Sequence, residues 1–306
     1  MSTTFADLGV SEAVAGALAK RGIETPFAVQ TMVVPDVLDG RDVLVKSPTG
    51  SGKTFAFGVP MADMVDPGGA WPSALVLAPT RELASQIVDE LSGVMHARGL
   101  KITAVYGGVG IHNQIKQAGR SHVLVATPGR LLDLIERRAV RLDDIDMLVL
   151  DEADRMLDMG FKPVVDRIVR MTPDDRQTLL FSATLEGAAG ALATTYTQNA
   201  RRHVNAPKLE QGRAAISHRF IGTPSQGAKV DLLVSELDDG DSGRTLVFVR
   251  TKRGADRLVK KLTAQDVHAV AMHGDKSQSQ RQKALARFER GDVTVCLLYT
   301  SPSPRD

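Results

Sequence analysis

Short runs of apolar and β-branched residues alternate with amphipathic stretches along most of this 306-residue chain, and this alternation constrains the fold more than any other feature. The runs in the first two thirds of the chain are DVLVKS (42–47), SALVLAP (73–79), KITAVYG (101–107), HVLVATP (122–128), DMLVLD (146–151) and QTLLFSAT (177–184). Between them, stretches such as residues 81–99 repeat apolar side chains at helical spacing, here Leu83, Ile87, Leu91 and Val94. Strands that alternate with helices predict an α/β fold, with parallel sheets covered by helices on both faces.

The alternation of predicted strands and helices stops once and then resumes, which predicts two domains. A polar, turn-rich stretch interrupts it at about 205–227, and SHRFIG (217–222) inside that stretch predicts a first strand of the second domain. The pattern resumes with the runs RTLVFVRT (244–251), HAVAMHG (268–274) and VTVCLL (293–298). We therefore expect a first domain at 1–207, a linker and the start of the second domain at 208–227, and a shorter α/β domain at 228–298.

Composition excludes several classes of protein. No apolar run approaches the roughly 20 residues that a membrane-spanning helix needs, and the N-terminus lacks the pattern of a signal peptide, so we expect a cytoplasmic protein without membrane contact. The single cysteine, Cys296, excludes an internal disulfide and a Cys-based zinc site, and we expect it to be buried filler. The chain has 38 basic and 36 acidic residues, so any binding of nucleic acid must be local. Aromatic residues make up only 4%, which favours contact with a sugar–phosphate backbone over base stacking.

The stretch SPTGSGKT (47–54) lies between the first predicted strand and its helix and has the composition of a phosphate-binding loop. Two glycines let backbone N–H groups turn inward, the following helix offers its positive end, Lys53 reaches the outer phosphates, and Thr54 can ligate Mg²⁺. The general pattern begins with glycine, where this chain has Ser47. We expect a nucleoside triphosphate to be bound by Ser47, Pro48, Thr49, Gly50, Ser51, Gly52, Lys53 and Thr54.

A later strand ends in adjacent acids, in the run MLVLDEAD (147–154). An enzyme with a phosphate-binding loop needs one acid that holds magnesium and one group that positions or deprotonates the attacking water. Asp151 and Glu152 fit, because adjacent carboxylates at the end of a buried strand repel each other and lose hydration, and a bound cation relieves both costs. We assign the magnesium to Asp151 and Thr54 and the water to Glu152, so the candidate catalytic residues are Lys53, Asp151 and Glu152.

With DEAD at 151–154, the chain resembles the DEAD-box ATP-dependent RNA helicases, and further motifs follow in the order of that family. GIETPFAVQ (22–30), with Phe5 seventeen residues before Gly22, resembles the family's Q motif at about 5–30. The resemblance implies that Gln30 reads the adenine edge and Phe5 stacks on the base, which favours ATP over GTP. It also implies two RecA-like domains, in which Asp154 and the SAT motif, with Ser182 and Thr184, couple hydrolysis to domain closure.

Other elements resemble those with which the family grips RNA. PTREL (79–83) and TPGR (127–130) each follow a strand and open a helix, where free N–H groups and threonine hydroxyls bind phosphate or ribose without reading bases. In the second domain, LVFVRTK (246–252) and QSQR (278–281) resemble later family motifs. The resemblance implies RNA as the partner, held mainly by its backbone, through Pro79, Thr80, Arg81, Gly107, Gly108, Thr127, Pro128, Gly129, Arg130, Gln278 and Arg281. Arg81 and Arg130 also fit surface arginines paired with carboxylates, and Arg281 also fits a solvated charge.

The resemblance stops near the C-terminus. The family continues after VTV with an ATD-type motif, a glycine–arginine segment and an HRxGRxxR element that brings arginines to the γ-phosphate, whereas this chain reads CLLYTSPSPRD. We therefore expect an incomplete second domain with exposed apolar surface around 244–298, and an unstructured tail at 299–306 that is foreign to the family. Turnover by this chain should be slow, because an arginine finger contributes roughly 10³- to 10⁵-fold to phosphoryl transfer. Two other functions remain open: an ATPase that acts on DNA, and a non-catalytic ATP- and RNA-binding module.

Overall fold

The computed structural model describes residues 3–205, 217, 219–225, 227–238 and 243–299. The chain forms two compact units, Met1–Ala214 and Ala215–Asp306. The division falls inside the segment 208–227, which the sequence assigns to the linker and the start of the second domain. In the described ranges, no helix has both the length and the apolar character that crossing a membrane requires.

The first unit is built on a sheet of seven strands in which every strand pair is parallel. The strands are β1 (Val43–Lys46), β2 (Ala74–Leu77), β3 (Ile102–Val105), β4 (Val123–Ala126), β5 (Met147–Leu150), β6 (Gln177–Ser182) and β7 (Arg201–Val204). Their order across the sheet is β3-β4-β2-β5-β6-β1-β7. The six predicted strands are confirmed within their apolar runs. β7 was not predicted, because its sequence RRHV is polar and largely exposed at the sheet edge.

Helices cover both faces of this sheet. They are α1 (Glu12–Ala19), α2 (Ala28–Leu38), α3 (Lys53–Met64), α4 (Arg81–Ala97), α5 (Ile111–Ala118), α6 (Pro128–Glu136), α7 (Ala153–Asp158), α8 (Lys162–Val169) and α9 (Gly187–Tyr196), with a short 3-10 helix at Ala6–Leu8. Successive strand residues point to opposite faces, so Val76 packs with α1 to α4 whereas Leu75 and Leu77 pack with the later helices. Burial on both faces explains why these strands are continuous apolar runs.

The second unit contains a smaller parallel sheet of three strands, in the order β8-β10-β9. Its strands are β8 (Thr245–Val249), β9 (Ala269–Met272) and β10 (Val295–Tyr299), and its helices are α10 (Ala228–Asp238), α11 (Lys252–Thr263) and α12 (Gln278–Arg290). Cys296 is free and buried in β10, as predicted. The strand predicted for SHRFIG is wrong for the described residues 217 and 219–222, which are not paired with a strand, and the side chain of Phe220 is largely exposed. His218 lies outside the described residues.

The two faces of β8 differ in their covering. Val247 and Val249 pack into the small core with α10 and α11, whereas Leu246 and Phe248 on the other face are 50% and 61% exposed. Apolar surface within 244–298 was expected, and these two side chains supply it. The tail predicted at 299–306 is wrong at its first residue, because Tyr299 pairs in β10. Residues 300–306 lie outside the described residues.

Candidate nucleotide site and RNA-facing edge

The strand order groups the sequence motifs by their expected roles. β1, β6 and β5 are neighbours in the sheet, and their carboxyl ends carry the phosphate loop, SAT and DEAD respectively. β2, β4 and β3 form the adjoining part of the sheet, and their carboxyl ends lead into PTREL, TPGR and the pair of glycines at 107–108. Because the carboxyl ends of parallel strands share one edge, the expected nucleotide residues lie beside the expected RNA residues at the usual ligand-binding edge of such a sheet.

The phosphate loop folds back over its own lysine. The Nζ atom of Lys53 donates hydrogen bonds to the carbonyl oxygens of Ser47 (3.1 Å) and Pro48 (3.3 Å), so this ammonium is buried at the start of α3. Gly50 and Gly52 both have positive φ, at 76° and 90°, a conformation that glycine adopts without a steric penalty. The loop therefore has its cation and its glycine turns in place beside the positive end of a helix.

Ser47 joins the loop to the SAT motif. Its backbone N–H donates to the carbonyl oxygen of Ser182 (3.0 Å), and its hydroxyl donates to Ser51 Oγ (2.6 Å). The same hydroxyl accepts a hydrogen bond from Asn205 Nδ2 (3.0 Å). The departure from the general pattern at the first loop position thus adds contacts that glycine lacks. The hydroxyl of Ser182 in turn accepts from the N–H of Thr184 (3.3 Å), while Asp154 is only half-buried on α7.

Asp151 and Glu152 follow β5 directly. Burial raises the pKa of Asp151 from 3.8 to about 6; the Lys53 ammonium opposes this rise and the Glu152 carboxylate adds to it. Glu152 has a φ of 51°, a left-handed conformation that is uncommon for a residue with a side chain. Its backbone N–H donates to Asp151 Oδ1 (3.0 Å), and its carboxylate lies 3.3 Å from Arg155 Nη1.

One cavity of about 450 Å³ brings these residues together. Its lining includes Thr49, Gly50, Gly52, Lys53 and Thr54 from the loop, Asp151 and Glu152 from the strand end, and Gln30 and Phe27 from the Q-motif stretch. Ser47, Pro48 and Ser51 shape the loop but do not line the cavity. Its volume lies within the range of small-molecule sites.

The oxygen ligands in this cavity fit a magnesium ion. Mg²⁺ is usually held by one or two carboxylates together with substrate phosphates and water, and Asp151 and Thr54 supply the protein oxygens. The raised pKa of Asp151 shows that its charged form lacks compensation in the protein alone, and a cation would provide it. In the part of the chain that the structure describes, no three His, Cys, Asp or Glu side chains converge on a metal-sized site. A metal here would therefore depend on ligands from the nucleotide.

The Q-motif stretch corrects one prediction. Phe5 is 2% exposed and packs in the main core away from the cavity, which contradicts the base-stacking role assigned to it. Phe27, which the sequence analysis did not select, lines the cavity with a ring that is 59% exposed. The spacing that singled out Phe5 carries no information about burial, and the position of Phe27 at the start of α2 was the available signal.

Gln30 connects this stretch to the phosphate loop. Its side-chain oxygen accepts from the N–H of Phe27 (2.7 Å), and its Nε2 donates to the carbonyl oxygen of Gly52 (2.9 Å). A Cβ atom on Gly52 would lie 2.6 Å from the Phe27 ring and 2.7 Å from Gln30 Nε2, so only glycine fits at this position. Both ends of the Gln30 amide are thus already bonded within the protein.

At the candidate RNA-facing edge, which carries the expected RNA residues, Arg81 packs against the glycine pair. A Cβ atom on Gly108 would lie 1.9 Å from Arg81 Nη1, so the guanidinium rests directly on the backbone of this glycine, whose φ is +81°. Thr80 caps α4, because its hydroxyl accepts from the N–H of Leu83 (3.2 Å). Pro79 is buried, and Gly107 is half-buried beside the exposed Gly108. PTREL and the glycine pair therefore form one continuous surface.

Arg130 is positioned differently from a surface arginine. Its guanidinium donates to Gln114 Oε1 (2.7 Å) and to the carbonyl oxygen of Val109 (3.2 Å), and Asp133 lies 3.8 Å away. These contacts tie the start of α6 to α5 and to the loop that follows β3. Thr127 begins α6 without a capping hydrogen bond from its side chain; it and Pro128 are buried, and Gly129 is exposed.

In the second unit, Gln278 and Arg281 lie one turn apart at the start of α12. Arg281 Nη1 donates to Gln278 Oε1 (3.3 Å), and both side chains are half-buried. Ser277 caps the helix, with Gln280 reaching back to its N–H (2.9 Å). This capping box fixes the orientation of the turn that carries both residues.

The fold and the cavity define a P-loop α/β nucleotide-binding domain followed by a second, smaller parallel α/β unit. Comparison with known proteins narrows this class: residues 27–191 match the family model for the DEAD/DEAH box helicase, and residues 228–301 match that for the helicase conserved C-terminal domain. The chain belongs to the DEAD-box helicase family.

Individual relatives agree with this assignment. The chain is 40% identical over 296 residues to the RNA helicase CrhR of Synechocystis, covering 96% of this chain and 60% of that protein. It is 38% identical over 292 residues to the DEAD-box ATP-dependent RNA helicase CshA of Streptococcus pneumoniae, covering 95% and 55% respectively. The chain thus spans a little more than half the length of these relatives.

Two solved structures are similar across almost the whole chain. A DEAD box protein from Methanococcus jannaschii has a TM-score of 0.64 at 33% identity, covering 97% of this chain and 80% of that one. S. cerevisiae Dbp5 bound to RNA and ADP BeF3 has a TM-score of 0.85 at 29% identity, covering 97% and 76%. These similarities support RecA-like folds for the two units.

Proposed function

We propose that this chain is the ATP- and RNA-binding part of an ATP-dependent RNA helicase, in which RNA-stimulated ATP hydrolysis drives local unwinding of RNA duplexes or remodelling of ribonucleoproteins. The observation that carries the proposal is the single cavity shared by Lys53, Thr54, Asp151 and Glu152. These residues lie in the segments that follow two separate strands, β1 and β5, and they supply the cation, hydroxyl and carboxylates that phosphoryl transfer requires.

Each residue has a defined task in this proposal. Lys53 and the start of α3 bind the outer phosphates, Asp151 and Thr54 would hold Mg²⁺, and Glu152 orients and deprotonates the attacking water. When bound, the metal neutralises negative charge on the phosphates. The exposed ring of Phe27 is available to the base, and the Gln30 amide keeps a second N–H donor and a second acceptor site beyond its bonds to Gly52 and Phe27, which favours an adenine nucleotide.

The neighbouring motifs support RNA as the second substrate in this proposal. Backbone N–H groups at the starts of α4 and α6, the Gly108 backbone and Arg81 offer contacts to phosphate and ribose that do not depend on base identity. The solved complex of Dbp5 with RNA shows that a protein of similar fold binds RNA. Sequence-independent binding to single-stranded RNA is therefore the expected mode.

Steady-state ATP hydrolysis with RNA, with DNA of the same sequence and with neither tests the proposal. We expect stimulation by RNA and a much smaller effect of DNA; equal stimulation by DNA would favour the DNA-dependent alternative. Glu152→Gln should retain ATP binding and lose at least about a hundredfold in rate. Glu136→Gln, an exposed acid paired with Arg167, is the matched control and should keep the rate. ATP and RNA binding without measurable hydrolysis under any of these conditions would favour the non-catalytic alternative.

The rate of residues 1–306 by themselves is a separate expectation. The arginine-bearing motifs of the family are not found in these residues, so we expect slow turnover even with RNA present. Rapid RNA-stimulated turnover by this polypeptide would contradict that expectation, although it would support the helicase assignment.

A further inference from the structure

A cleft beside the start of β3 lies apart from both surfaces described above. Its volume is about 460 Å³, and its lining comes from the last part of α4, the start of β3 and the end of α5 with the turn that follows. The lining residues are Ser92, His96, Leu100, Lys101, Ile102, Thr103, Lys116, Gln117, Arg120 and Ser121. None of them is acidic, although acidic residues nearly equal basic ones in the whole chain. We refer to this site as the basic cleft.

The cations of the basic cleft are available to a ligand. Lys116 and Arg120 are exposed, and neither forms an ion pair with any residue in the described ranges. The ammonium of Lys101 lies 5.4 Å from the centre of the Trp71 ring, a cation–π contact that restrains this side chain without neutralising it. Three permanent positive charges around one concave surface attract a polyanion.

Hydroxyl groups complete the lining. Thr103 Oγ1 lies 2.6 Å from Ser121 Oγ, and the Ser121 hydroxyl donates to the carbonyl oxygen of Gln117 (2.8 Å). Ser121 is buried, so this hydrogen-bonded pair is a fixed part of the cleft. Lysine and arginine side chains combined with hydroxyls are the groups that contact sugar–phosphate backbones. Aromatic residues are absent from the lining, so base stacking is not available at the cleft itself.

The position of the cleft connects it to the RNA-facing edge. β3 is the outermost strand of the sheet; it begins at the basic cleft and ends just before Gly107 and Gly108. Lys101 and Gly108 are seven residues apart, so their backbones are separated by at most about 25 Å. About seven nucleotides of a stacked strand, at roughly 3.4 Å each, span that distance.

We propose that the basic cleft is an accessory RNA site. It binds the sugar–phosphate backbone of that part of a single-stranded RNA that extends past the carboxyl ends of β2, β4 and β3. The inference rests on the proposed function, because it requires RNA to be bound at that edge. The accessory site lengthens the RNA footprint of the first unit along the outer edge of its sheet. It favours RNAs with a single-stranded flank over RNAs that end at the motif residues.

Fluorescence anisotropy with labelled single-stranded RNA tests the inference. The test variant is Lys116→Ala/Arg120→Ala, and the matched control is Arg201→Ala/Arg202→Ala, which removes the same charge from exposed positions on β7 at the opposite edge. With an RNA of about 16 nucleotides, the test variant should bind roughly tenfold more weakly. Its slope of log affinity against log salt should fall by about 1.4, since each lost phosphate contact on a single strand contributes about 0.7.

The dependence of affinity on RNA length shows whether the substitutions act at the basic cleft or at the motif residues. An RNA of about six nucleotides fits the motif residues alone, so the test variant, the control and the unaltered chain should bind it equally. Lys116→Arg/Arg120→Lys preserves both charges and should retain the affinity for the longer RNA. An equal loss on both RNAs, or an equal loss in the β7 control, would overturn the accessory site.

The remaining outcomes separate this inference from the proposed function. If the unaltered chain binds RNA and the test variant binds the longer RNA equally well, only the accessory site is overturned. If the unaltered chain binds no RNA, both are overturned. Poly-L-glutamate provides the arm for an acidic protein ligand: loss of its binding in the test variant, with RNA binding retained, would assign the cleft to a protein partner and overturn the RNA assignment.

Discussion

At the scale of single residues, the nucleotide site holds charge and backbone strain that the protein alone does not compensate. Asp151 is buried beside Glu152, and its pKa rises to about 6 although the Lys53 ammonium and the hydrogen bond from the Glu152 N–H oppose the rise. Glu152 itself adopts a left-handed backbone conformation that costs of order 1 kcal/mol or more. Such costs are retained in proteins mainly where a ligand relieves or uses them.

Replacing Asp151 with Asn should stabilise the nucleotide-free protein at pH 8. The folded-state pKa of about 6 lies above the ordinary 3.8, so ionised Asp151 destabilises the folded state by on the order of 3 kcal/mol above pH 6. The advantage of the variant should shrink as the pH falls from 6 towards 4, because Asp151 becomes protonated in the folded state over this range, whereas in the unfolded state it is protonated only around and below pH 3.8. Urea unfolding at a series of pH values measures the difference in free energy of unfolding between the variant and the unaltered chain. Asp144→Asn, at an exposed position, is the control.

The same variant should lose its response to ligand. Mg²⁺ and ATP should raise the unfolding midpoint of the unaltered chain and of Asp144→Asn, because binding to the folded state stabilises it. They should not raise the midpoint of Asp151→Asn, because this variant lacks the carboxylate that coordinates the metal. A variant less stable than the unaltered chain at pH 8 without nucleotide would show that the Asp151 carboxylate is already compensated in the folded protein.

Gly108→Ala should weaken RNA binding about tenfold, equivalent to 1.4 kcal/mol. The added Cβ would overlap Arg81 Nη1 at 1.9 Å and displace the guanidinium, and the positive φ would add strain of about 1 kcal/mol. Gly110→Ala is the control, because no atom lies within 4 Å of its Cβ position and its φ is −58°. Fluorescence anisotropy measures the RNA affinity of both variants, and urea unfolding measures their stability. Equal RNA affinities of Gly108→Ala and the control would show that Arg81 does not contact RNA from this position.

At the scale of elements, burial decided what the sequence could reveal. Strands β1 to β6 are buried or half-buried and lie within apolar runs, so their positions follow from the pattern alone. β7 escapes that pattern because a largely exposed edge strand needs few apolar residues. The helix predicted at 81–99 is found as α4, with Ile87, Leu91 and Val94 buried as their spacing indicates.

Thr80→Ala should lower the free energy of unfolding by about 1 kcal/mol. The Thr80 hydroxyl accepts the hydrogen bond from the N–H of Leu83 at the start of α4, and alanine leaves this N–H without that partner. Thr80→Ser keeps the hydroxyl and should be nearly neutral. Urea unfolding compares the three proteins, and the cap would be excluded as a source of stability if alanine and serine behaved alike.

At the scale of the whole molecule, the sequence motifs predict the participants in the site, and the strand order determines which of them are neighbours. Strands β5 and β6 insert between β2 and β1, which places DEAD and SAT beside the phosphate loop. No local pattern encodes this order, because it depends on which strands pair across long separations in sequence. The contact between Ser47 and Ser182, and the choice of Phe27 over Phe5 at the cavity, depend on the same long-range packing.

The second unit has the clearest weakness at this scale. Among the described residues, β8 pairs only with β10, and Leu246 and Phe248 form an exposed apolar strip on one face of this edge strand. Side chains two residues apart on a strand share a face, so the two contribute to one patch. An apolar edge strand promotes association between molecules. We therefore expect residues 1–306 to self-associate through this strip as concentration rises.

Replacing both residues, as Leu246→Thr/Phe248→Thr, should reduce that self-association while preserving the strand, because threonine retains β propensity and removes most of the apolar area. Sedimentation velocity and light scattering over a concentration series measure the change. Met159→Thr is the control, since it removes an exposed apolar side chain from the first unit, away from β8. Nucleotide binding at the first unit should be the same in all three proteins. If the double variant self-associates as strongly as the unaltered chain, the surface responsible lies elsewhere. If self-association falls equally in the control, the effect is one of general surface hydrophobicity.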